Sequence, residues 1–282
     1  MDTDIPRLLE PALLASILES TLDSIQNNDN LIIVDLCSEA LYRQKHVPGA
    51  VHLQAGALMA GTAPYPGKLP SIEQLQTIIR YLGIKADSHV VIYDDEGGGW
   101  AGRFIWTLDV IGHTNWSYLN GGLVAWHNEG HPTTSDVPAP YAIERDIIIN
   151  RTPIIEAEEI IEYLNAPSLE KGELQIWDAR SLAEYTGEKV LTAKGGHIPG
   201  AIHCDWTSMM DIPNNMRIRE DALPFLESLG LTPDKPTITH CQSHHRSGFT
   251  YLLGRLLGFS SIRAYDGSWA EWGNREDTPV EQ

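Results

Sequence analysis

The residues best suited to chemistry lie in one continuous stretch, His240-Cys241-Gln242-Ser243-His244-His245-Arg246-Ser247. A cysteine thiolate is a strong nucleophile, and neighbouring cations or a helix N-terminus favour the thiolate over the thiol. The segment after Arg246 is apolar at helical spacing and ends at Gly258, so we predict a strand, a short loop and a helix around Cys241. Loop amides and the start of a helix both bind anions. The stretch therefore favours a reactive Cys241 beside an anion-binding loop over a cysteine that only packs.

The charge around Cys241 is opposite in sign to that of the whole chain. The 282 residues include 38 acidic and 20 basic side chains, which gives a formal charge of -18. Residues 235–265 contain no acid, and their cations are Lys235, Arg246, Arg255 and Arg263. Such cations lower the pKa of a nearby thiol and attract a small dianion. The acidic remainder makes nucleic acid and anionic membranes poor partners, so neither is expected.

Length and composition set further limits. With 42% hydrophobic residues in 282, the chain is expected to form two globular domains. Three cysteines do not suffice for a disulfide framework, and the acidic N-terminus lacks the apolar core of a signal peptide, so we expect a cytoplasmic location. A run of about 18 apolar residues, as a membrane span needs, is absent from the sequence.

The two halves of the chain repeat one pattern. The sequence HVPGAVH at residues 46–52 returns as HIPGAIH at residues 197–203. Other shared features follow in the same order, including an apolar run that ends at Asp35 in one half and at Asp178 in the other. Repeats of this kind indicate a duplicated domain. We predict two copies and a proline-containing linker, with bounds of 1–136 for the N-terminal domain, 137–153 for the linker and 154–282 for the C-terminal domain.

Each copy has the pattern of an α/β fold. A Ser-x-x-Gln capping box predicts a helix that starts after Ser71, and Gly83 ends it. Strands alternating with helices predict, in each copy, a parallel sheet flanked by helices. Sites on such sheets lie beyond the carboxyl ends of strands, where the sequence places Asp94 in the first copy and Cys241 in the second. Short apolar runs predict the buried strands, at residues 31–36, 89–93, 174–178 and 237–240.

Two other chemistries use similar residues. The side chains of His240, Cys241, His244 and His245 could ligate zinc, but the spaced ligand pairs of a structural zinc site do not occur elsewhere in the sequence, so no metal is expected. A cysteine phosphatase also places Cys and Arg around an anion-binding loop. Four residues separate Cys241 from Arg246 here, whereas the phosphatase signature has five. The tighter loop suits one sulfur atom better than a phosphate.

Taken together, these features resemble the rhodanese family. They are the tandem repeat, both HxPGA motifs, the Asp178-Ala179-Arg180 strand end and the Cys-x4-Arg loop. The resemblance extends from about Leu31 to Trp272. It is closest to bacterial two-domain thiosulfate sulfurtransferases with a histidine-containing active loop, and it implies two tandem rhodanese-like domains.

The resemblance also implies where and how the reaction occurs. Catalysis is expected only in the C-terminal copy, because Asp94 stands in the first copy where Cys241 stands in the second. Cys241 would take the sulfane sulfur of thiosulfate as a persulfide and release sulfite. Cyanide or a thiol would then accept the sulfur. The implied scheme needs no metal or organic cofactor.

The residues around Cys241 take roles from the same resemblance. Arg246 is expected to close the loop or to contact the donor. His244 and His245 either add positive charge or are solvated polar residues. Asp178 and Arg180 either orient the loop or form a buried structural pair, and Trp206 either lines the site or packs like other tryptophans. The loop residues expected to bind the persulfide and the anion are Gln242, Ser243, His244, His245, Arg246 and Ser247.

Two departures bear on the substrate. Animal-type two-domain relatives have an Arg six residues after the strand-end Asp, and here that position is Glu184. The loop also lacks the Gly-x-Gly-Val-Thr pattern of mercaptopyruvate sulfurtransferases. Both points favour thiosulfate. The alternatives are a mercaptopyruvate sulfurtransferase and, outside enzymes, a persulfide carrier that delivers sulfur to partner proteins. A monomer is expected because each copy already covers one face of the other.

Overall fold

A parallel sheet organises the first half of the chain. The computed structural model describes residues 5–23, 30–138, 142–166 and 174–282. The first sheet has five strands in the order β1-β5-β4-β2-β3, and every pairing in it is parallel. The elements of this half are β1 (Leu8–Leu9), α1 (Pro11–Asp23), β2 (Leu31–Asp35), α2 (Glu39–Gln44), β3 (Val51–His52), α3 (Ile72–Leu82), β4 (His89–Tyr93), α4 (Gly99–Val110), β5 (Trp116–Leu119) and α5 (Gly122–Asn128).

A second parallel sheet organises the other half, with four strands in the order β11-β10-β6-β7. A short antiparallel ribbon, β8 with β9, stands apart from it. The elements are α6 (Ala157–Asn165), β6 (Gln175–Asp178), α7 (Leu182–Tyr185), β7 (Ile202–His203), β8 (Met210–Asp211), β9 (Arg217–Ile218), α8 (Ala222–Ser228), β10 (Thr237–His240), α9 (Arg246–Leu256), β11 (Ile262–Ala264) and α10 (Ser268–Trp272).

The predicted strands and the predicted α/β class are confirmed. The four apolar runs form β2, β4, β6 and β10, which lie inside their sheets and are almost wholly buried, as expected for strands covered on both faces. Helix α3 begins after Ser71, whose hydroxyl accepts from the Gln74 amide while the Gln74 side chain accepts from the Ser71 amide. Gly83 ends the helix at a φ of 70°, a left-handed conformation that favours glycine.

The duplication is visible in matched side-chain contacts. In the first copy the His46 ring stacks on Tyr42 at 3.9 Å, and the Tyr42 hydroxyl donates to the Ala50 carbonyl. In the second copy the His197 ring stacks on Tyr185 at 3.7 Å, and the Tyr185 hydroxyl donates to the Ala201 carbonyl. The HxPGA motif thus closes the same turn in both halves. The motif serves packing there.

The two copies meet through helices α4 and α9. Glycine permits the close approach of their first turns: a Cβ on Gly102 would lie 2.3 Å from the Gly248 carbonyl oxygen, and one on Gly248 would lie 2.6 Å from the Arg103 nitrogen. Any larger residue at either position would push the helices apart. Helix α9 begins at the reactive loop, so this packing brings the N-terminal copy against that loop.

The segment predicted as a linker runs between the two sheets. Residues 139–141 lie outside the described residues. Further along, the Asn150 amide donates to the Val110 carbonyl of the first copy, and Ile147 is buried. Pro153 and Ile155 bond to Ala264 of the second copy. The domain bounds themselves stay a prediction. In the described part of the chain, no helix is both long and apolar enough to cross a bilayer.

Candidate active site

Cys241 lies at the carboxyl end of β10, the position that the sequence predicts. Its side chain is buried, with 1% of its surface exposed. The Cys241 amide donates to the Ser268 hydroxyl at 3.2 Å, and its carbonyl accepts from the Trp269 amide at 2.9 Å. The Ser268 hydroxyl is held in turn by the Tyr265 carbonyl. The start of α10 therefore fixes the backbone of the reactive residue.

The sulfur of Cys241 is surrounded by donors. The Ser247 hydroxyl donates to it at 3.4 Å, and the Ser243 and Ser247 amides also point at it. Burial alone would raise the pKa of the Cys241 thiol, but the Arg246 charge and these hydrogen bonds outweigh burial and bring the pKa below its ordinary value. The lowered pKa favours the thiolate, the nucleophilic form that the loop pattern predicts.

Arg246 makes its direct contacts with Glu184 and reaches the sulfur only through its charge. Its Nη1 and Nη2 atoms lie 2.7 Å and 2.9 Å from the two carboxylate oxygens of Glu184. Burial would raise the pKa of Glu184, yet the bonds from Arg246 and Ser181 lower it to about 2, so the carboxylate is charged. Of the two roles predicted for Arg246, closing the loop fits these contacts. Glu184, which the sequence shows only as a departure, is its partner.

Asp178 and Arg180 form a buried ion pair under the loop. The guanidinium binds the carboxylate through Nε and Nη2, the shortest bond being 2.5 Å, and Nη2 also donates to the Gly196 carbonyl. The Arg180 guanidinium lies 4.2 Å from the centre of the Trp269 ring. Trp269 donates to the Cys241 carbonyl, so the pair supports the loop from one residue away. The contacts show the buried ion pair of the second alternative, while an orienting effect on the loop stays a prediction.

The positive charge predicted for His244 is absent. His244 is fully buried, and burial together with the Arg103 charge lowers its pKa well below the ordinary value. Burial also lowers the pKa of His240 to about 4. Both rings are therefore neutral at neutral pH. Neither alternative given for His244, a cation or a solvated residue, is correct.

The predicted cationic stretch is also less concentrated than the sequence suggests. Arg255 pairs with Asp109 of the N-terminal copy, and Arg263 lies 2.6 Å from Glu159. These ion pairs neutralise the charges of both arginines, and the acids come from other parts of the chain. Arg246 is the arginine of this stretch whose charge reaches the sulfur.

His245 lies at the junction of the two copies. Its Nε2 atom is 2.5 Å from a carboxylate oxygen of Glu96, which belongs to the loop after β4. The ring packs between Trp100 of the first copy and Trp206 of the second, with centroid distances of 4.4 Å and 5.4 Å. Trp206 thus contacts the reactive loop through His245. The remaining loop positions are held by backbone contacts, since the Gln242 carbonyl accepts from the Ala270 amide.

Asp94 occupies in the first copy the place that Cys241 has in the second. Its carboxylate accepts from the amides of Glu96, Gly98 and Ala101, at 3.2, 2.8 and 3.0 Å. The side chain is fully buried, and burial raises its pKa to about 6. The first copy therefore keeps the amide-lined loop and fills it with its own carboxylate. Asp94 therefore lies inside the fold and is not exposed to an incoming anion.

The other two cysteines are packed residues. Cys37 and Cys204 are both buried. Burial and the nearby Asp35 raise the pKa of the Cys37 thiol, and burial raises that of Cys204 to about 12. Both are protonated and poor nucleophiles. Across the described residues, no group of three or more His, Cys, Asp or Glu side chains could hold a metal ion.

The fold brings three residues near the loop that the sequence patterns did not identify as site residues. They are Glu184, Arg103 and Lys68. For Glu184 a local signal exists, because Ser181-x-x-Glu184 is a capping box and the structure forms it. Arg103 and Lys68 come from the N-terminal copy, and nothing in their local sequence relates them to residues so far along the chain.

Comparison with known proteins agrees with the fold. A family model described as a Rhodanese-like domain matches residues 19–129 and again residues 161–275. The chain therefore belongs to the rhodanese family, with two tandem domains. The resemblance noted in the sequence, which rests on the repeat and on the Cys241 loop, is confirmed.

Individual relatives show which members of the rhodanese family the chain is similar to. The chain is 47% identical to a thiosulfate sulfurtransferase of Azotobacter vinelandii, over 98% of this chain and 97% of the relative. It is 46% identical to a thiosulfate sulfurtransferase of Pseudomonas aeruginosa, over 99% and 98%. It is also 32% identical to the sulfur carrier protein TtuD of Thermus thermophilus, over 85% and 86%. Among solved structures, the anaerobic ergothioneine biosynthesis enzyme of Chlorobium limicola matches with a TM-score of 0.83 at 22% identity, over 98% of this chain and 70% of that one, which supports the fold alone.

Proposed function

We propose that the protein is a thiosulfate sulfurtransferase in which Cys241 carries the transferred sulfur. One observation carries the proposal. The sulfur of Cys241 lies at the start of α9 with donors on it from Ser247 and Ser243, and its pKa is below the ordinary value. The near full-length identity to two thiosulfate sulfurtransferases supports the same reaction.

The first half-reaction loads the cysteine. The Cys241 thiolate attacks the outer sulfur of thiosulfate and forms a new S–S bond. The S–S bond of thiosulfate breaks, and its electron pair leaves with sulfite. The chain then carries a Cys241 persulfide, a covalent intermediate that splits the transfer into two steps. No proton has to be removed, because the resting cysteine is already ionised.

The second half-reaction unloads it. Cyanide, or a thiolate, attacks the outer sulfur of the persulfide, and the electron pair of the breaking S–S bond returns to Cys241. Thiocyanate or a new persulfide leaves, and the thiolate is regenerated. The Ser247 hydroxyl and the Ser243 amide stabilise negative charge on sulfur in both steps, as donors in an oxyanion hole do.

Arg246 does not supply the positive charge that binds the anionic donor. Arg246 is engaged by Glu184, so its guanidinium is not available for a forked contact with thiosulfate. We assign it the role of holding the loop and lowering the Cys241 pKa. The loop amides and the start of α9 then bind the anionic end of the donor.

The alternatives are less well supported. A mercaptopyruvate sulfurtransferase is not favoured, because the relatives that match over nearly the whole chain are thiosulfate sulfurtransferases. A persulfide carrier has the lower similarity, at 32% identity to a named sulfur carrier. Both alternatives would use the same Cys241 chemistry, so the donor preference and the turnover rate distinguish them.

The testing experiment measures thiocyanate formed from thiosulfate and cyanide. Cys241→Ala is expected to abolish it, whereas Cys204→Ala, which removes another buried cysteine, should retain it. After thiosulfate alone, mass spectrometry should find about 32 Da added to the peptide that contains Cys241, as expected of a covalent intermediate. Full activity in Cys241→Ala would refute the assignment. A persulfide that forms but does not turn over would favour the carrier.

The setting of the reaction is also part of the proposal. We place the protein in the cytoplasm, as a monomer without a metal or organic cofactor. The three cysteines are unpaired, which suits a reducing compartment. The formal charge of -18 disfavours nucleic acid and anionic lipid as partners, and small sulfur-containing donors and acceptors remain.

A further inference from the structure

Arg103 is a buried cation that the N-terminal copy brings to the reactive loop. It belongs to α4, and none of its surface is exposed. Its Nε and Nη2 atoms donate to the Leu58 carbonyl, and Nη2 also reaches the Lys68 carbonyl. Its Nη1 atom finds no hydrogen-bond partner among the residues that the structure describes. A buried guanidinium nitrogen without a hydrogen-bond partner lowers the stability of the folded state, and the fold nevertheless retains it.

His244 of the reactive loop lies within electrostatic reach of Arg103. The Arg103 guanidinium and the His244 ring both contact the indole of Trp106, at 4.7 Å and 4.5 Å from its centre. Trp106 is itself fixed by a bond from its indole nitrogen to the Pro153 carbonyl. The Nε2 atom of His244 is the other buried nitrogen here without a partner in the described part of the chain.

The other nitrogen of His244 is connected to the sulfur. Its Nδ1 atom lies 2.8 Å from the Ser247 hydroxyl, and that hydroxyl lies 3.4 Å from the sulfur of Cys241. A thiolate has no proton to give, so the hydroxyl hydrogen of Ser247 must point at the sulfur. The Ser247 oxygen then has to accept from Nδ1. His244 must therefore be neutral with its proton on Nδ1 and a lone pair on Nε2.

The opposite tautomer would break this arrangement. With the proton on Nε2, Nδ1 would be an acceptor and would take the Ser247 hydrogen away from the sulfur. The thiolate would lose its hydroxyl donor. An N–H at Nε2 would also add a positive hydrogen within the electric field of the Arg103 guanidinium, which is electrostatically unfavourable.

We propose that Arg103 selects the Nδ1–H tautomer of His244 and so keeps the Ser247 hydroxyl directed at the sulfur of Cys241. Arg103 is a positioning residue: its charge also acts on Cys241 directly, but the role proposed here is exerted through His244 and Ser247. It belongs to the copy that lacks a nucleophile. The non-catalytic domain thereby contributes to the chemistry of the other domain. The proposal rests on the proposed function in one respect, the thiolate state of Cys241.

Other charged groups face the same region. His245 is the next residue of the loop, and a proton on it would, like Arg103, oppose a proton on His244. Burial lowers the pKa of Arg103 to about 10, while the charges of Asp266 and Cys241 oppose that shift. Asp266 is in turn bound by Lys68 at 3.2 Å. Arg103 is therefore charged at neutral pH, and its effect on His244 persists across the neutral range.

The direct test is the tautomer of His244 in the wild-type protein. Nitrogen-15 NMR of the uniformly labelled protein distinguishes a protonated Nδ1 from a protonated Nε2. We expect the proton on Nδ1, with no titration of this ring between pH 6 and 8. A proton on Nε2 would overturn the proposal while leaving sulfur transfer by Cys241 untouched. Conversely, full activity in Cys241→Ala would remove the proposed function and leave the tautomer measurement valid.

Substitutions of Arg103 supply the second test. Arg103→Met should shift His244 toward Nε2–H and raise the midpoint of the pH dependence of Cys241 alkylation by about one pH unit, the scale of one lost hydrogen bond to a charged group. Arg103→Lys keeps the charge and should retain most of the wild-type midpoint. The matched control is Arg145→Met, because Arg145 lies 3.1 Å from Nδ1 of another neutral histidine, His113, away from Cys241. A folded Arg103→Met with the wild-type tautomer would refute the proposal even if the midpoint moved, because loss of the Arg103 charge alone raises the pKa of Cys241. If Arg103→Met does not fold, the wild-type tautomer decides.

Discussion

Glu184 and Arg246 face each other as a two-bonded ion pair, 2.7 Å and 2.9 Å between their charged atoms. Glu184 is 3% exposed, and it belongs to the short helix α7 after β6. Arg246 begins α9 and supplies charge that lowers the Cys241 pKa. The carboxylate thus fixes the orientation of the cation on which the nucleophile depends. This relationship accounts for a residue that in animal-type relatives is an arginine.

Removing Arg246 should affect both stability and reactivity. Arg246→Met leaves the buried carboxylate of Glu184 without its cation and with only Ser181 as a partner, so we expect a loss of about 2 kcal/mol in the free energy of unfolding, less than for a fully buried pair because Arg246 is partly exposed. The pKa of Cys241 should rise, because the cation that lowers it is gone. Thermal unfolding and the pH dependence of alkylation measure the two effects.

The double variant Glu184→Gln/Arg246→Met separates these effects. It should recover much of the stability, since no unpaired carboxylate is left, yet keep the raised pKa of Cys241. A double variant with a wild-type alkylation profile would mean that Arg246 is only a structural partner of Glu184.

The Ser247 hydroxyl should matter for the thiolate. Ser247→Ala removes the donor 3.4 Å from the Cys241 sulfur, and the alkylation midpoint should rise by about one pH unit. The control is Ser117→Ala, since Ser117 is a buried serine of β5 that bonds to the Pro6 carbonyl instead. Equal shifts in both variants would count against a specific bond to sulfur.

The raised pKa of Asp94 should make the protein less stable as the pH rises from about 4 to 6. Its pKa is raised from 3.8 to about 6 in the folded chain, so the folded state binds its proton more tightly than the unfolded one. Asp94 therefore favours folding most below pH 3.8, and this contribution is lost as the pH rises toward 6. In the wild-type protein, Asp94 should make the free energy of unfolding fall by roughly 1 kcal/mol per pH unit over that range. Asp94→Asn should abolish this fall.

The measurement for Asp94 is chemical unfolding of both proteins at several pH values. Asp95→Asn, a partly exposed neighbour in the same loop, is the control and should leave the slope unchanged. Parallel curves for wild type and Asp94→Asn between pH 4 and 6 would contradict the assignment.

Lys68 should connect the two domains functionally. Its amino group lies within 2.7 to 3.3 Å of carboxylates on Glu156, Asp266 and Glu271, all from the C-terminal half. Lys68→Met would leave these acids to repel one another, and we expect a loss of about 2 kcal/mol of stability. Persulfide formation should slow as well, because Asp266 lies two residues before Ser268, which accepts from the Cys241 amide.

The matched control for Lys68 is Lys189→Met, which removes an exposed lysine of the C-terminal domain. Wild-type melting temperature and wild-type persulfide formation in Lys68→Met would show that these ion pairs are dispensable.

Local patterns account for much of the fold. The apolar runs of β4 and β10 and the capping box at Ser71 are interactions within a few residues, so periodicity and side-chain chemistry predict them. The edge strand β1 and the ribbon of β8 and β9 were not predicted. Their strands are two residues long, too short to show a period, and they form because a partner strand is present.

In the candidate site, too, local sequence predicts some residues and misses those that only the fold brings together. Cys241 and Ser247 follow from one stretch of sequence, whereas the partners of that stretch come from elsewhere. His244 was predicted to carry charge or to meet solvent, because sequence does not reveal burial or the neighbouring Arg103. Arg255 was counted with the cations around Cys241 because they are close along the chain, and the fold pairs it with Asp109 instead.

The carboxylate in the first copy has a consequence for stoichiometry. The loop after β4 binds Asp94, a ligand that is attached to the chain and never dissociates. An oxyanion inhibitor therefore competes for the loop of Cys241 alone, and its titration should show a single inflection. In a rapid-mixing experiment the first turnover should release one sulfite per polypeptide, so the burst amplitude counts active chains directly.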